Sequence, residues 1–175
     1  MSCIPQTPIA NRYLDSGWIT PTTSQDTTNA LGMGEPLFAE VLILPNVATT
    51  TNELGRIQQI QVEEIAATAA NIKKPDLLVL VWTRATSAPT APVANTVYNP
   101  STTNYIGSFK IAEADYVRWS NTVWTATINP ARIFKSGTDA VATDFHVVIL
   151  SNEATPVTFV AGAGMRVRIM TEPSA

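Results

Sequence analysis

The stretch Asp76-Leu77-Leu78-Val79-Leu80-Val81-Trp82-Thr83 decides the fold of this chain. Its apolar residues occupy successive positions, so a strand formed here is buried on both faces and lies centrally in a sheet. The apolar core of the stretch, Leu77 to Trp82, is far shorter than the roughly 20 residues that span a bilayer. Ser87 to Pro92 follows with two prolines, which cannot continue a ladder of backbone hydrogen bonds. We therefore predict a buried central strand and no membrane partner.

Other short apolar segments predict further strands, separated by Pro, Gly and Asn at spacings typical of a sandwich or jelly roll. They are Phe38 to Leu44, Tyr105 to Ala112, Val123 to Ile128, Asp144 to Leu150, Val157 to Val160 and Met165 to Met170. No run with a convincing helical period separates them, which argues against an α/β architecture. The sequence predicts an all-β fold, an antiparallel β-sandwich or jelly-roll-like domain.

The segment from Arg56 to Ile65 fits two structures. Ile60 and Val62 would lie on one face of a strand, with Gln59 and its polar neighbours on the other. Isoleucines in this segment also fit a helical face roughly. We favour a strand, because the alternation is clean and helix caps are absent.

Residues 1–36 predict an extended N-terminal arm, and residues 37–175 the β-sandwich domain. The arm contains four prolines and a Thr/Ser-rich run, so it buries too little apolar surface to fold alone. A disordered tail is the alternative. An apolar cluster favours the arm, because a solvated tail has no reason to carry it; we predict that its members anchor the arm on its own or a neighbouring subunit. These partner-binding residues are Tyr13, Leu14, Trp18 and Ile19. We also expect the β-domain to fold without residues 1–34.

The composition points to a protein that assembles. Hydrophobic residues make up 45% of the chain and charged residues 14%, well below the roughly 25% of an average soluble domain. A charge-poor, Thr-rich surface suits permanent association. The net charge is −3 and no basic stripe is present, so we predict no nucleic-acid partner. The N-terminus lacks the pattern of a secretion signal, which indicates synthesis and assembly in a reducing cytoplasm.

The chain offers few routes to catalysis or cofactor binding. His146 is the only histidine, predicted within a strand, and Cys3 is the only cysteine, so the usual zinc sites and catalytic triads cannot be built. The carboxylates Glu113 and Asp115 have a commonplace spacing and look like part of a solvated turn. Gly162 and Gly164 lack the lysine of a phosphate-binding loop. We predict no catalytic residue, no metal site and no cofactor.

The aromatic residues leave one alternative open. Tyr116, Trp119 and Trp124 could form a stacking platform for sugar, as in a carbohydrate-binding module. The other interpretation places Trp82 and Trp124 in the core, which we favour. Trp119 remains a possible surface aromatic residue.

Several segments resemble a diffuse family of virion proteins from tailed bacteriophages. They are PDLLVLVW at Pro75–Trp82, APTAPVANTVY at Ala88–Tyr98, YIGSFKI at Tyr105–Ile111, Asp115-Tyr116, and NEATPVT at Asn152–Thr158. The resemblance extends from Gly55 to Thr171 and leaves the N-terminal segment outside. It implies a capsid decoration or cement protein on the virion surface. The partners it implies are the major capsid protein and copies of the chain itself, as a homotrimer. A carbohydrate- or receptor-binding module of a phage tail or fibre is the alternative.

Overall fold

The structure is a computed structural model that describes residues 13–23, 29–86, 88–139, 141, 143–159 and 164–173. Its strands are β1 (Leu14–Asp15), β2 (Leu42–Leu44), β3 (Leu54–Ile65), β4 (Leu77–Thr83), β5 (Tyr105–Ile111), β6 (Tyr116–Arg118), β7 (Val123–Ile128), β8 (Arg132–Lys135), β9 (Phe145–Ser151) and β10 (Gly164–Pro173). Two short 3-10 turns, Ala69–Asn71 and Glu113–Asp115, complete the regular structure of the described residues.

The strands form two antiparallel sheets that enclose one core. The six-stranded sheet has the order β1-β10-β3-β7-β6, with β8 also paired to β3, and the four-stranded sheet has the order β2-β9-β4-β5. The main cluster of buried residues draws on both, for example Ile60 and Val167 from one sheet and Val79 and Val147 from the other. Full burial of each such side chain stabilises the fold by about 1.5–3 kcal/mol. The predicted all-β antiparallel sandwich is confirmed.

The two central strands of the four-stranded sheet, β4 and β9, are buried on both faces, and the opening stretch predicts this for β4. β4 lies between β5 and β9, and every residue of β9 is buried. The face turned away from the main core carries a second buried cluster that includes Leu80, Trp82 and Tyr98. Trp82 Nε1 donates to the carbonyl of Ser101 at 2.8 Å, and Tyr98 Oη donates to that of Thr90 at 2.8 Å. The loop that contains Thr90, Tyr98 and Ser101 thus covers this face.

β3 is the central strand of the six-stranded sheet and pairs with three others. It pairs with β10 along its length, with β8 through its first half and with β7 through its second. Ile60 and Val62 are buried while Gln59 and Gln61 are half-buried on the opposite face. The strand interpretation of this segment is confirmed.

Other sequence predictions hold only in part. The Phe38–Leu44 run forms a strand only over Leu42–Leu44. In the predicted Val157–Val160 strand, Val157 makes an isolated bridge with Leu31, and Val160 lies outside the described residues. β6 and β8 were not predicted, because each is too short to show a period.

The described parts of the predicted arm pack on the sandwich. Leu31 is fully buried in the main core, and Pro36 bridges to Leu150 of β9. Residues 1–12 and 24–28 of the predicted arm lie outside the described residues. The division of the chain at residue 36 stays a prediction.

Candidate interaction surface

Three of the four predicted arm anchors lie on the edge of β10 of the same chain. Leu14 pairs with Thr171, and Ile19 exchanges two backbone hydrogen bonds with Val167, of 2.9 and 3.0 Å. Between them, Ser16 donates to the carbonyl of Ile169 at 3.1 Å. The segment from Leu14 to Ile19 therefore acts as an added strand that covers an otherwise open sheet edge.

Charged and aromatic contacts fasten this segment to the outer face of β10. Trp18 lies over two guanidinium groups, with its ring centroid 4.8 Å from Cζ of Arg166 and 5.9 Å from Cζ of Arg168. Arg168 donates to both carboxylate oxygens of Asp15, and its Nε bond measures 2.7 Å. The hydrogen bond from Arg168 lowers the pKa of Asp15 despite the opposing effect of burial. Arginines spaced two apart on one strand face make this arrangement possible.

Tyr13 differs from the other predicted anchors. Its side chain is 54% exposed, whereas Leu14, Trp18 and Ile19 are half-buried against their own subunit. The structure thus assigns intrachain contacts to three anchors and leaves the ring of Tyr13 accessible. Contact between any of the four and a neighbouring subunit stays a prediction.

The three aromatic residues of the possible platform do not share a face. Tyr116 is buried inside the sandwich, and Trp124 packs against the core with Lys74 Nζ 5.2 Å from its ring. Trp119 is 77% exposed at the end of the edge strand β6, beside Val117, which is 66% exposed. The prediction of a core position is confirmed for Trp82, which is 1% exposed. Trp119 and Val117 form an apolar patch at a sheet edge, which we call the β6 patch.

His146 is buried in β9, between Ile43 of β2 and Trp82 of β4. Only 3% of it is exposed, and its Nδ1 has no hydrogen-bond partner among the described residues. Burial, together with the nearby Arg84, lowers its pKa. The predicted strand position is confirmed, and the buried Nδ1 lacks the hydrogen-bond partner that a buried polar atom usually has. This position gives a substrate no access to the imidazole.

The candidate carboxylates Glu113 and Asp115 each have a partner within the chain. Glu113 pairs with Lys74 at 2.6 Å, and Asp115 Oδ2 accepts from the backbone amide of Ala112 at 2.8 Å. Glu64 is fully buried, and its two oxygens accept the backbone amides of Lys73 and Lys74, both at 2.8 Å. Burial raises the pKa of Glu64. Glu64 thereby holds the loop between β3 and β4 in place. The sequence does not reveal this role, because the partners of the carboxylate are backbone groups.

Among the described residues, no group of three or more His, Cys, Asp or Glu side chains could hold a metal ion. No helix of the described part is both long and apolar enough to cross a membrane.

Comparisons with known proteins give only distant similarities. No protein-family model matches the chain, and a search of curated proteins finds no match either. Among solved structures, the coat protein of Tobacco streak virus is similar at 12% identity and a TM-score of 0.27, over 95% of this chain and 90% of that chain. A capsid protein of the equine rhinitis A virus particle, a picornavirus, is similar at 14% identity and a TM-score of 0.29, over 93% and 67%.

A third similar structure is that of a marine algae virus of the order Picornavirales, at 15% identity and a TM-score of 0.23, over 94% of this chain and 67% of that chain. At these TM-scores the similarities support neither fold nor function. The fold therefore rests on the strand pairing described above, and the function is inferred from the residues of the chain itself.

Proposed function

We propose that this chain is a non-catalytic structural protein of a virion that acts by binding neighbouring subunits. The observation that carries the proposal is the β6 patch, where Trp119 and Val117 stand exposed on an edge strand. Natural proteins blunt or cover such edges, and an exposed large apolar group at one is a feature of interaction sites. Trp is also among the residues that contribute most binding energy at interfaces. A binding role for this edge explains why it is left open.

The more specific proposal is a capsid decoration or cement protein of a tailed bacteriophage. The resemblance of Gly55 to Thr171 to that family supports it. A subunit of this kind stabilises the head by bridging the major capsid protein and copies of itself, each contact adding buried area that is lost only when the lattice opens. A homotrimer on the capsid surface, assembled in the host cytoplasm, fits the symmetry of such positions. Tyr13 and the segment before it would add a second contact.

Binding to capsids tests this proposal. Capsids assembled without the chain are mixed with the purified protein, and the bound fraction is measured by sedimentation. We expect Trp119→Ser with Val117→Ser to lower the bound fraction at least about tenfold, because two exposed apolar anchors are lost. Val93→Ser is the matched control, since Val93 is similarly exposed but lies in a loop. Full binding by the β6-patch variant would refute the role of this edge, and no binding by the unchanged protein would refute the capsid proposal.

A carbohydrate- or receptor-binding module is the second candidate, supported by the exposure of Trp119. A single exposed indole can stack on a sugar ring. On a glycan array, Trp119→Ala would abolish binding without unfolding the domain. Absence of glycan binding by the unchanged protein would remove this candidate.

A further inference from the structure

A cleft of about 520 Å³ lies between β8 of the six-stranded sheet and the start of β5 of the four-stranded sheet. We call it the β5–β8 cleft. Its volume is within the roughly 300–1,000 Å³ of small-molecule sites. Two buried apolar side chains, Ile106 and Phe134, contribute to its lining, and most of the other lining residues are polar. No residue of the β6 patch lines it, so the cleft is separate from the surface proposed to bind capsids.

Arg132 connects the two sheets beside this cleft. It shares a face of β8 with the buried Phe134, because alternate residues of a strand lie on one face, so its side chain is directed toward the gap between the sheets. Its Nε donates to the carbonyl of Ile106 in β5 at 3.2 Å. Its two Nη groups donate to no described residue. A guanidinium that is held in position by one bond therefore presents its remaining N–H donors to the cleft.

Tyr105 provides an aromatic wall that is held from behind. Its ring packs against that of Trp82, with centroids 5.2 Å apart, and Trp82 is itself buried. Tyr105 is nevertheless 36% exposed and lines the cleft. Its hydroxyl has no hydrogen-bond partner among the described residues. A ring fixed on one side loses little freedom when a ligand packs on its exposed part.

Asn52 and Asn104 add two side-chain amides to the lining. Their backbones are fixed, because the amide of Asn52 donates to the carbonyl of Gly137 at 2.7 Å and the carbonyl of Asn104 accepts from the amide of Thr83 at 3.0 Å. Both have a positive φ, 60° and 61°, which Asn adopts more readily than most residues. Neither side-chain amide bonds to a described residue. The backbone conformation thus accounts for the choice of Asn and leaves both amides able to bind a ligand.

We propose that the β5–β8 cleft binds a neutral saccharide. A sugar ring offers apolar C–H groups that pack on an aromatic ring, and hydroxyl groups that both donate and accept hydrogen bonds. Tyr105 would pack on the sugar ring, and Arg132 would donate to hydroxyl oxygens. The amides of Asn52 and Asn104, which also both donate and accept, would bind neighbouring hydroxyl groups. An anion would use only the donors of the cleft and leave the amide oxygens without a partner.

The proposal goes beyond the proposed function, because binding of capsids through the β6 patch needs no saccharide. It also differs from the second candidate function, in which Trp119 stacks on the sugar. Trp119 follows β6, which is joined to the second half of β3 through β7, whereas β8 pairs with the first half of β3. Capsid sedimentation therefore tests the β6 patch, and the experiment below tests the cleft.

The test uses the full chain and three linear trisaccharides, built from glucose, from galactose and from N-acetylglucosamine. Binding is followed by amide chemical shifts in NMR spectra, with each sugar raised to about 10 mM so that a weak site is also detected. We expect at least one sugar to bind and to shift the amides of Asn104, Tyr105 and Arg132 most. Because the sugar is neutral, its affinity should stay unchanged as salt is raised. Inorganic phosphate is the competing probe.

Two variants test the polar groups of the cleft. Asn104→Gly removes an amide but keeps a residue that adopts a positive φ without strain, and it should weaken sugar binding about three- to tenfold. Asn95→Gly is the matched control, since Asn95 has a φ of 54° and does not line the cleft. Arg132→Met keeps an unbranched side chain and removes the donors, and it should weaken binding about tenfold or more. If Arg132→Met disturbs the fold, Asn104→Gly still decides.

Four results would overturn the proposal. They are binding of none of the three sugars, shifts that map to Trp119 instead of Tyr105, equal weakening by Asn104→Gly and Asn95→Gly, and tighter binding of phosphate than of any sugar. Shifts at Trp119 would assign the sugar to the second candidate function, and tighter binding of phosphate would reassign the cleft to anions. None of these results bears on the binding of capsids by the β6 patch.

Discussion

Arg168 donates to Asp15 through its Nε at 2.7 Å, and this ion pair joins residues 153 positions apart in the chain. The pair, together with the Trp18 ring over the same guanidinium, holds the segment from Leu14 to Ile19 against β10. The segment from Leu14 to Ile19, which the sequence predicts as part of an extended arm, therefore forms an edge strand of its own chain.

Asp15→Asn should loosen this edge strand without unfolding the sandwich. The substitution removes the charge but keeps the shape, so the amides of Ser16 and Ile19 should exchange with deuterium about two- to fivefold faster, as expected for a solvent-screened ion pair of about 0.4–1 kcal/mol. Asp139→Asn is the control, because Asp139 bonds to Thr86 elsewhere. Unchanged exchange at Ile19 would show that backbone pairing alone holds the segment.

The same contact should depend on pH. Because the pKa of Asp15 is lowered in the folded state, its contribution is present above the unfolded value of 3.8 and is lost as pH falls through the lower folded value. Exchange at Ile19 should therefore accelerate in strong acid in the wild type. The Asp15→Asn variant should lack this component.

The sequence predicts a strand when the strand's own residues carry a pattern, and fails when a partner remote in the chain sets its position. β4 is apolar at successive positions, and that local pattern is enough to predict a central strand that is buried on both faces. β8 is different: Arg132 to Lys135 has no period of its own. Its place is set by Phe134, which packs beneath Gly55 in β3. No local rule reveals such a pairing.

The candidate surfaces are likewise only partly visible in the sequence. The apolar cluster from Tyr13 to Ile19 was recognisable as an anchor, but its docking surface was not, because β10 is remote in sequence. Asp15 and Arg168 likewise meet only because β1 pairs with β10. A charge that looks isolated along the chain thus gains its partner only when the sheet forms.

Gly55→Ala should destabilise the sandwich through steric overlap. A Cβ at Gly55 would lie 2.7 and 2.8 Å from two ring atoms of Phe134 and 3.3 Å from the carbonyl of Glu172. Phe134 cannot move freely, because its ring packs edge-on against Phe145 with centroids 4.9 Å apart. We expect a loss of about 1–3 kcal/mol in the free energy of unfolding, measured by urea denaturation.

Gly164→Ala is the matched control for this steric effect. Gly164 also lies in a strand, but a Cβ there meets no atom of the described residues within 4 Å. Its replacement should therefore leave the free energy of unfolding within about 0.5 kcal/mol of the wild type. Equal destabilisation by both changes would mean that glycine is needed for a reason other than space.

His146→Phe should flatten the dependence of stability on pH. The folded pKa of His146 lies below its unfolded value of 6.5, so the unfolded state binds the proton first, and stability is lost as pH falls from that value toward the folded pKa. His146 is the only histidine, but Glu64, whose pKa burial raises, also contributes in the window between neutral pH and the ordinary carboxylate range. The difference between wild type and variant therefore reports on His146. Phe fills a similar volume between Ile43 and Trp82 and removes the unpartnered Nδ1. In urea denaturation across this pH range, the loss of stability toward acid should be smaller in the variant than in the wild type. An equal pH dependence in the two proteins would contradict the assignment.

Two truncations separate an arm from an edge strand. Deleting residues 1–12 keeps the described contacts among the residues from Leu14 onward, and we expect a folded protein with near-native stability but weaker binding to capsids. Deleting residues 1–34 also removes the β10 edge strand and Leu31, a fully buried core residue. Loss of such a leucine alone costs about 2–5 kcal/mol, so the structure argues against the sequence expectation that the domain folds without these residues. Urea denaturation and capsid sedimentation of both proteins check this. A stable domain after the longer deletion would show that the segment is dispensable for folding, and full capsid binding after the shorter one would show that the first 12 residues contact no neighbour.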